Sequence, residues 1–168
     1  MHSIIILIVI GLSQTAMANT EELNILRRAN AGDPESLDPH KILSAFESTI
    51  MTDLFIALAT TSASDEIIPG SAESWDISPD GLKYKFKIRK KMTWSDGVPL
   101  TSHDFVYSFK RQLHPKTASR TAEYFKPIKN ARAISKNELS VDELGVSAPD
   151  DSTFIIELEH PAPYLMDI

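Results

Sequence analysis

The chain has 168 residues, a formal net charge of −6 and no cysteine. The acidic balance argues against the basic footprint of a nucleic-acid-binding protein. Without cysteine there is neither a disulfide nor a lipid-modified thiol after an export signal.

Residues 1–18 carry no Lys, Arg, Asp or Glu; Ile4 to Leu12 is an apolar run, and Ala16-Met17-Ala18 has the small-x-small form of a cleavage site. This reads as a secretory signal peptide, and the run is short for a transmembrane helix; an uncleaved anchor is the alternative. Cleavage after Ala18 would leave 168 − 18 = 150 residues from Asn19, enough for one domain with its own core.

Leu23 to Ala29 reads as a strand, and Asp33 to His40 as a loop punctuated by Pro34 and Pro39. A helix is predicted over Ala45 to Leu58. Phe46, Ile50, Leu54 and Leu58 form its apolar stripe, beside Met51 and Phe55, with Glu47, Ser48, Thr49, Thr52 and Asp53 on the other side. A short polar segment containing Ile67 and Ile68 leads to a turn at Pro69-Gly70.

The stretch Ser74 to Leu113 organises the rest. Tyr84, Phe86 and Ile88 alternate with Lys83, Lys85, Lys87 and Arg89, the period of an antiparallel strand with one apolar and one basic face. Ser78-Pro79-Asp80-Gly81 reverses the chain before it, so residues 75–78 pair with 83–89 as a hairpin. Interleaved lysines and aromatics could also suggest a single-strand-binding surface; the solvated face of a strand explains them more simply. Trp94-Ser95-Asp96-Gly97 is a second turn. Thr101 then caps a helix, with Asp104 three residues on and Phe105, Val106, Phe109 and Leu113 on its apolar face.

His114-Pro115-Lys116-Thr117 breaks that helix, and Ala118 to Phe125 can restart it. Residues 127–144 read as a short helical excursion and Ala148 to Asp151 as a turn. Thr153 to Glu159 reads as a strand with Phe154, Ile156 and Leu158 on one face; Tyr164 to Ile168 opens a helical turn.

No phosphate-binding glycine loop, nucleophile elbow or His-Glu-x-x-His motif is present. The histidines, at 2, 40, 103, 114 and 160, are scattered. His103-Asp104 could be a ligand or acid–base pair, but adjacent helical residues diverge, so capping explains Asp104 better. Asp80 and Asp96 stand beside glycines in turns, where aspartate is expected. Nothing here points to an enzyme, a metal or a cofactor.

Several short motifs, in order, resemble one family. They are Ser36-Leu37-Asp38-Pro39-His40-Lys41-Ile42, Ala72-Glu73-Ser74-Trp75, Phe86-Lys87-Ile88-Arg89 and Trp94-Ser95-Asp96-Gly97. Asp104-Phe105-Val106-Tyr107-Ser108, Lys116-Thr117-Ala118-Ser119 and Leu144-Gly145-Val146 continue the series. From about Leu23 to Ile168 the chain resembles the N-terminal part of periplasmic oligopeptide-binding proteins, the solute-binding components of bacterial ABC peptide importers.

The resemblance implies a mixed α+β fold: a partial periplasmic-binding-protein-like architecture, mostly antiparallel sheet with flanking helices. Residues 19–55 would begin the first ligand-binding lobe, 56–168 would form its extra domain, and the second lobe would be absent, making this a truncated member. The implied ligand is an oligopeptide held in extended form by strand addition. The implied partners are the permease subunits of the inner membrane, with no cofactor and no nucleic acid, and the implied location is the periplasm. The contact positions would be Leu43, Ser44 and Ala45, with Thr121 where oligopeptide-binding members can carry a tyrosine; Leu43 stands where they can carry a glutamate. Such a chain would bind peptide weakly or not at all. The alternatives are a folded interaction module without a ligand and a murein-peptide or dipeptide binder.

Overall fold

In the computed structural model, the described residues are 29–30 and 32–167. The expected export signal, and the expected first strand apart from Ala29, lie outside them. Helix α1 (Ala45–Leu54) precedes a hairpin of β1 (Ala59–Thr61) and β2 (Ile67–Pro69). Next come β3 (Ala72–Ile77), β4 (Lys83–Ile88), helix α2 (Ser102–Leu113), the short helix α3 (Ala131–Ser135), β5 (Val146–Asp150) and β6 (Thr153–Glu157). Strands β3 to β6 form one antiparallel sheet in the order β3-β4-β6-β5.

The alternation of β4 sets the sheet. Tyr84, Phe86 and Ile88 are buried, while Lys83, Lys85 and Lys87 are exposed. Phe86 stands opposite Trp75 on one side and Phe154 on the other; Tyr84 stands opposite Ile77 and Ile156. The basic face meets acids on the neighbouring strands. Lys87 pairs with Glu73 at 2.5 Å and Lys83 with Glu157 at 3.3 Å, while Asp76 lies in register with Lys85. Cross-strand charge pairing of this kind stabilises the sheet and accounts for the lysines without a nucleic acid.

Helix α2 starts where Asp104 reaches back. Its carboxylate accepts from the Thr101 N–H at 2.7 Å and from the Thr101 hydroxyl at 3.1 Å. The helix then lays Phe105 and Phe109 on the sheet, 5.8 and 5.2 Å from the fully buried Phe154 by ring centroid, and Phe109 meets Phe125 edge-on at 5.5 Å. Ile128, Ala131, Ile134 and Leu144 close the core from the 127–144 excursion.

Several expectations are corrected. Helix α1 ends at Leu54, not Leu58, because Phe55 is extended (φ −126°, ψ 146°) while its N–H caps the Met51 carbonyl. Its apolar stripe is largely outside: Phe46, Leu54 and Phe55 are exposed and Met51 is buried, as is Glu47, which was assigned to the polar face. The polar segment around Ile67 and Ile68 is strand β2. Ala148 to Asp150 continue β5 rather than turning; Pro149 is tolerated because β5 is an edge strand. The expected break at His114–Thr117 contains a 3-10 segment, Pro115–Thr117, and the helix expected over Ala118 to Phe125 is only a 3-10 segment, Ala122–Phe125, because Ala118 is left-handed at φ 52°. The strand expected to reach Glu159 ends at Glu157, although Leu158 remains buried and bonds through its N–H to Leu82. Pro163–Asp167 forms the expected terminal helical turn as a 3-10 segment.

Candidate binding site

Leu43, Ser44 and Ala45 form the turn into α1. Ser44 is the N-cap, in extended backbone conformation, and Glu47 completes a capping box with it. The Glu47 carboxylate does more than cap. One oxygen accepts from the N–H groups of Leu43 and Ser44, each at 2.9 Å, and from the Ser44 hydroxyl at 3.1 Å. The other accepts from the N–H groups of Glu35 at 3.0 Å and Ser36 at 3.1 Å. Four backbone donors thus converge on one buried acid. Those of Leu43 and Ser44 do most to pull its carboxyl down to about 2, against the opposing effect of burial.

The turn is therefore pinned at its base while the Leu43 side chain, 61% exposed, projects outward. The N–H groups of Leu43 and Ser44 already bond within the chain, and the Ser44 carbonyl accepts from the Ser48 N–H and hydroxyl, each at 3.1 Å, so few backbone groups of the three expected contact positions are left for a ligand. Ser44-x-x-Glu47 is the sequence signal for this arrangement.

Across from Leu43 stands the 3-10 segment after α2. A pocket of about 280 Å³ lies between Glu35, Ser36, Lys41, Leu43 and Glu47 on one wall and Thr117, Ala118 and Arg120 on the other. The fold thus places Leu43 opposite the neighbours of Thr121. Thr121 itself is not part of the lining. Its hydroxyl accepts from the buried Gln112 side-chain amide at 2.7 Å and lies 3.2 Å from the Ser119 hydroxyl.

The loop carrying this wall is fastened to α2. Arg111 donates to both oxygens of Asp38, at 2.7 and 2.6 Å, and to Nδ1 of His40. Nδ1 must accept from a permanently charged guanidinium, so Nε2 carries the His40 proton and donates it to Ser108 Oγ at 3.1 Å. The Arg111 hydrogen bond holds the Asp38 carboxyl well below the usual carboxylate range. Burial, followed by the Arg111 charge, lowers the His40 pKa.

A larger cleft of about 1030 Å³ opens between Leu54–Ala59, the aromatic face of α2 and Met92–Ser95. Its lining is mainly apolar; polar groups of the lining, including Asp38, His40, Arg111, Ser108 and Asp104, are bonded within the chain. His103 is exposed and lies 3.5 Å from Asp151. Asp80 bonds Ser78 and the Leu82 N–H, and Asp96 bonds the Val98 N–H, each within its own turn. Among the described residues, no group of three acids or histidines is arranged to hold a metal ion.

Residues 66–168 match the model for bacterial extracellular solute-binding proteins, family 5 Middle. The chain is 38% identical over 137 residues to the periplasmic oligopeptide-binding protein OppA of Haemophilus influenzae, covering 80% of this chain and 25% of that protein. It is 41% identical over 145 residues to OppA of Escherichia coli, covering 85% and 26%. The structure of the Escherichia coli murein tripeptide binding protein MppA superposes with a TM-score of 0.75 at 40% identity, over 78% of this chain and 26% of that one. The chain thus spans about a quarter of the length of these relatives and shares their partial periplasmic-binding-protein fold.

Proposed function

The chain belongs to the family 5 bacterial extracellular solute-binding proteins, a family of binding proteins and not of enzymes, and on that premise we propose that it contributes one wall of an oligopeptide site serving an ABC importer. The observation that carries this reading is the Leu43–Ala45 turn, pinned by Glu47, whose Leu43 faces Thr117, Ala118 and Arg120 across a pocket that Ser44 and Ala45 do not line. A rigid turn with an exposed apolar side chain suits a ligand held through its backbone. Thr121 supports the opposite wall through Gln112. Residues 19–55 begin the ligand-binding lobe, residues 56–168 form the adjoining domain, and inner-membrane permease subunits receive the peptide in the periplasm.

Residues 1–18 direct export in this reading, with cleavage after Ala18 and no lipid attached. N-terminal sequencing of exported protein is expected to begin at Asn19. A membrane-retained product beginning at Met1 would reject this part.

By itself the 168-residue chain is expected to bind peptide weakly. Each backbone hydrogen bond contributes roughly 0.5–1.5 kcal/mol net, and association costs about 4 kcal/mol or more in rigid-body freedom. With the Leu43 and Ser44 donors occupied, the few remaining contacts do little more than offset that cost, so the dissociation constant falls in the millimolar range or weaker. Titration with tri- to pentapeptides, followed by backbone amide shifts, tests both parts. Millimolar, saturable shifts at Leu43–Ala45 are the expected result. Micromolar affinity for a monomer would overturn the weak-binding part, and no shift at any peptide concentration would overturn the peptide reading.

A further inference from the structure

The pocket beneath Leu43 has a charge arrangement that backbone recognition of a peptide does not need. Lys41 borders it from the loop wall and Arg120 from the opposite wall. Both are exposed, and neither has an ion-pair partner among the described residues. Two acids also line the pocket, and they are not equivalent. Glu47 is buried, and although its carboxylate keeps its negative charge, both oxygens are taken up by four backbone donors and the Ser44 hydroxyl and so are not offered to Lys41 or Arg120. Glu35 is exposed, with its oxygens free to compete, so the four charged side chains of the lining balance and any preference for a carboxylate comes from direct pairing with Lys41 and Arg120 rather than from net charge. The hydroxyl-bearing residues Ser36 and Thr117 complete the lining. About 280 Å³ accommodates one side chain or one chain terminus rather than a whole peptide.

We propose that this pocket is a subsite for a carboxylate of the bound peptide, with Lys41 and Arg120 as its counter-charges and Leu43 packing against the aliphatic part beside it. The proposal rests on the peptide reading above and adds the chemical class selected at this position. Arg120 supplies a planar fork that matches a carboxylate, and Lys41 supplies a point charge from the other side. A carboxylate can come from an acidic side chain or from the C-terminus of the peptide, and the chemistry at the pocket is the same for both.

Three tripeptides separate the possibilities: an amide with central glutamate, the same amide with central glutamine, and the glutamine peptide with a free C-terminal carboxylate. Each is titrated into the isotope-labelled chain at low salt, following the amides of Leu43, Ala118 and Arg120. At least one carboxylate-bearing peptide is expected to saturate these shifts at about five-fold lower concentration than the neutral amide, the scale set by partly exposed ion pairs. This advantage should shrink as salt is added. If the glutamate amide has the advantage, the side chain is the source; if the free acid has it, the terminus is. The double variant K41Q/R120Q is expected to abolish the advantage while leaving the amide spectrum of the core unchanged. Equal saturation by all three peptides would overturn the subsite and leave the peptide reading standing. No shift at Leu43–Ala45 with any peptide would overturn both.

Discussion

Arg111 and Asp38, 73 residues apart in sequence, are joined by two parallel hydrogen bonds that fasten the loop before α1 to helix α2. The pair also sets the tautomer of His40, since the same guanidinium donates to His40 Nδ1. The wall that carries Leu43 is therefore positioned by a residue that does not line its pocket.

Replacing Arg111 by lysine keeps the charge but loses the fork. An ammonium cannot match two carboxylate oxygens and a ring nitrogen in one plane. The R111K variant is expected to unfold at lower denaturant, and in the double variant with Asp38→Asn the two losses should not add, because both remove one interaction. Fully additive losses in a double-mutant cycle would show that Arg111 and Asp38 act independently.

Stability at acid pH should report on Glu47. Its carboxyl lies at about 2 in the folded chain, against an ordinary value of 4.5. A folded-state pKa below the unfolded value stabilises the fold at pH above the unfolded pKa, and that contribution is lost as pH falls through the folded one. The loss should therefore run from about pH 4.5 down to about pH 2. The variant Glu47→Gln is expected to be less stable at neutral pH and to show a flatter dependence in this window. Asp38, shifted in the same direction, should supply acid sensitivity that persists in the variant. Parallel stability curves for the two proteins between those pH values would refute the assignment.

Phe154 is the hub of the core, with Phe86, Phe105 and Phe109 around it at centroid distances of 5.2 to 6.1 Å. It is fully buried. The substitution Phe154→Ala is expected to destabilise by about 3–5 kcal/mol, as large-to-small changes in a packed core do. Equilibrium denaturation measures it, and a loss below about 1 kcal/mol would mean that the site collapses around the smaller side chain.

Where local chemistry and tertiary packing agree, the sequence is legible. The hairpin of β3 and β4 and helix α2 could be read because the Lys/aromatic alternation, the Pro79-Asp80-Gly81 turn and the Thr101–Asp104 cap all point to one structure. The end of α1 could not be read, because Leu54 and Leu58 keep helical spacing although the chain becomes extended at Phe55. β5 was hidden by Pro149, which suggests a turn unless the strand is known to lie at an edge. Beside the expected contact positions Leu43–Ala45, the inward role of Glu47 could not be read, because its burial depends on Glu35 and Ser36 folding back over it. The Lys41–Arg120 pocket depends on contacts between segments far apart in sequence, which no local pattern encodes.

Two glycines should respond differently to the same substitutions. Gly97 has φ +85° and open space where a Cβ would stand. Its requirement is conformational, so Gly97→Val is expected to destabilise by about 1–3 kcal/mol. Gly97→Asn should be better tolerated, because asparagine adopts the left-handed region more readily than other side chains. Gly145 has no positive φ, but a Cβ there would lie 2.6 Å from Lys129 Cβ and 2.8 Å from the Glu157 carbonyl oxygen. The surrounding backbone is locked: the Gly145 N–H donates to the Lys129 carbonyl at 2.9 Å, and the Glu157 N–H donates to the Gly145 carbonyl at 2.7 Å. Even Gly145→Ala should therefore destabilise, and asparagine should be no better than alanine. Denaturation midpoints for the alanine and asparagine variants at both positions decide the matter. Asparagine rescue at Gly97 without rescue at Gly145 is the expected pattern; rescue at both would show that the requirement at Gly145 is not steric.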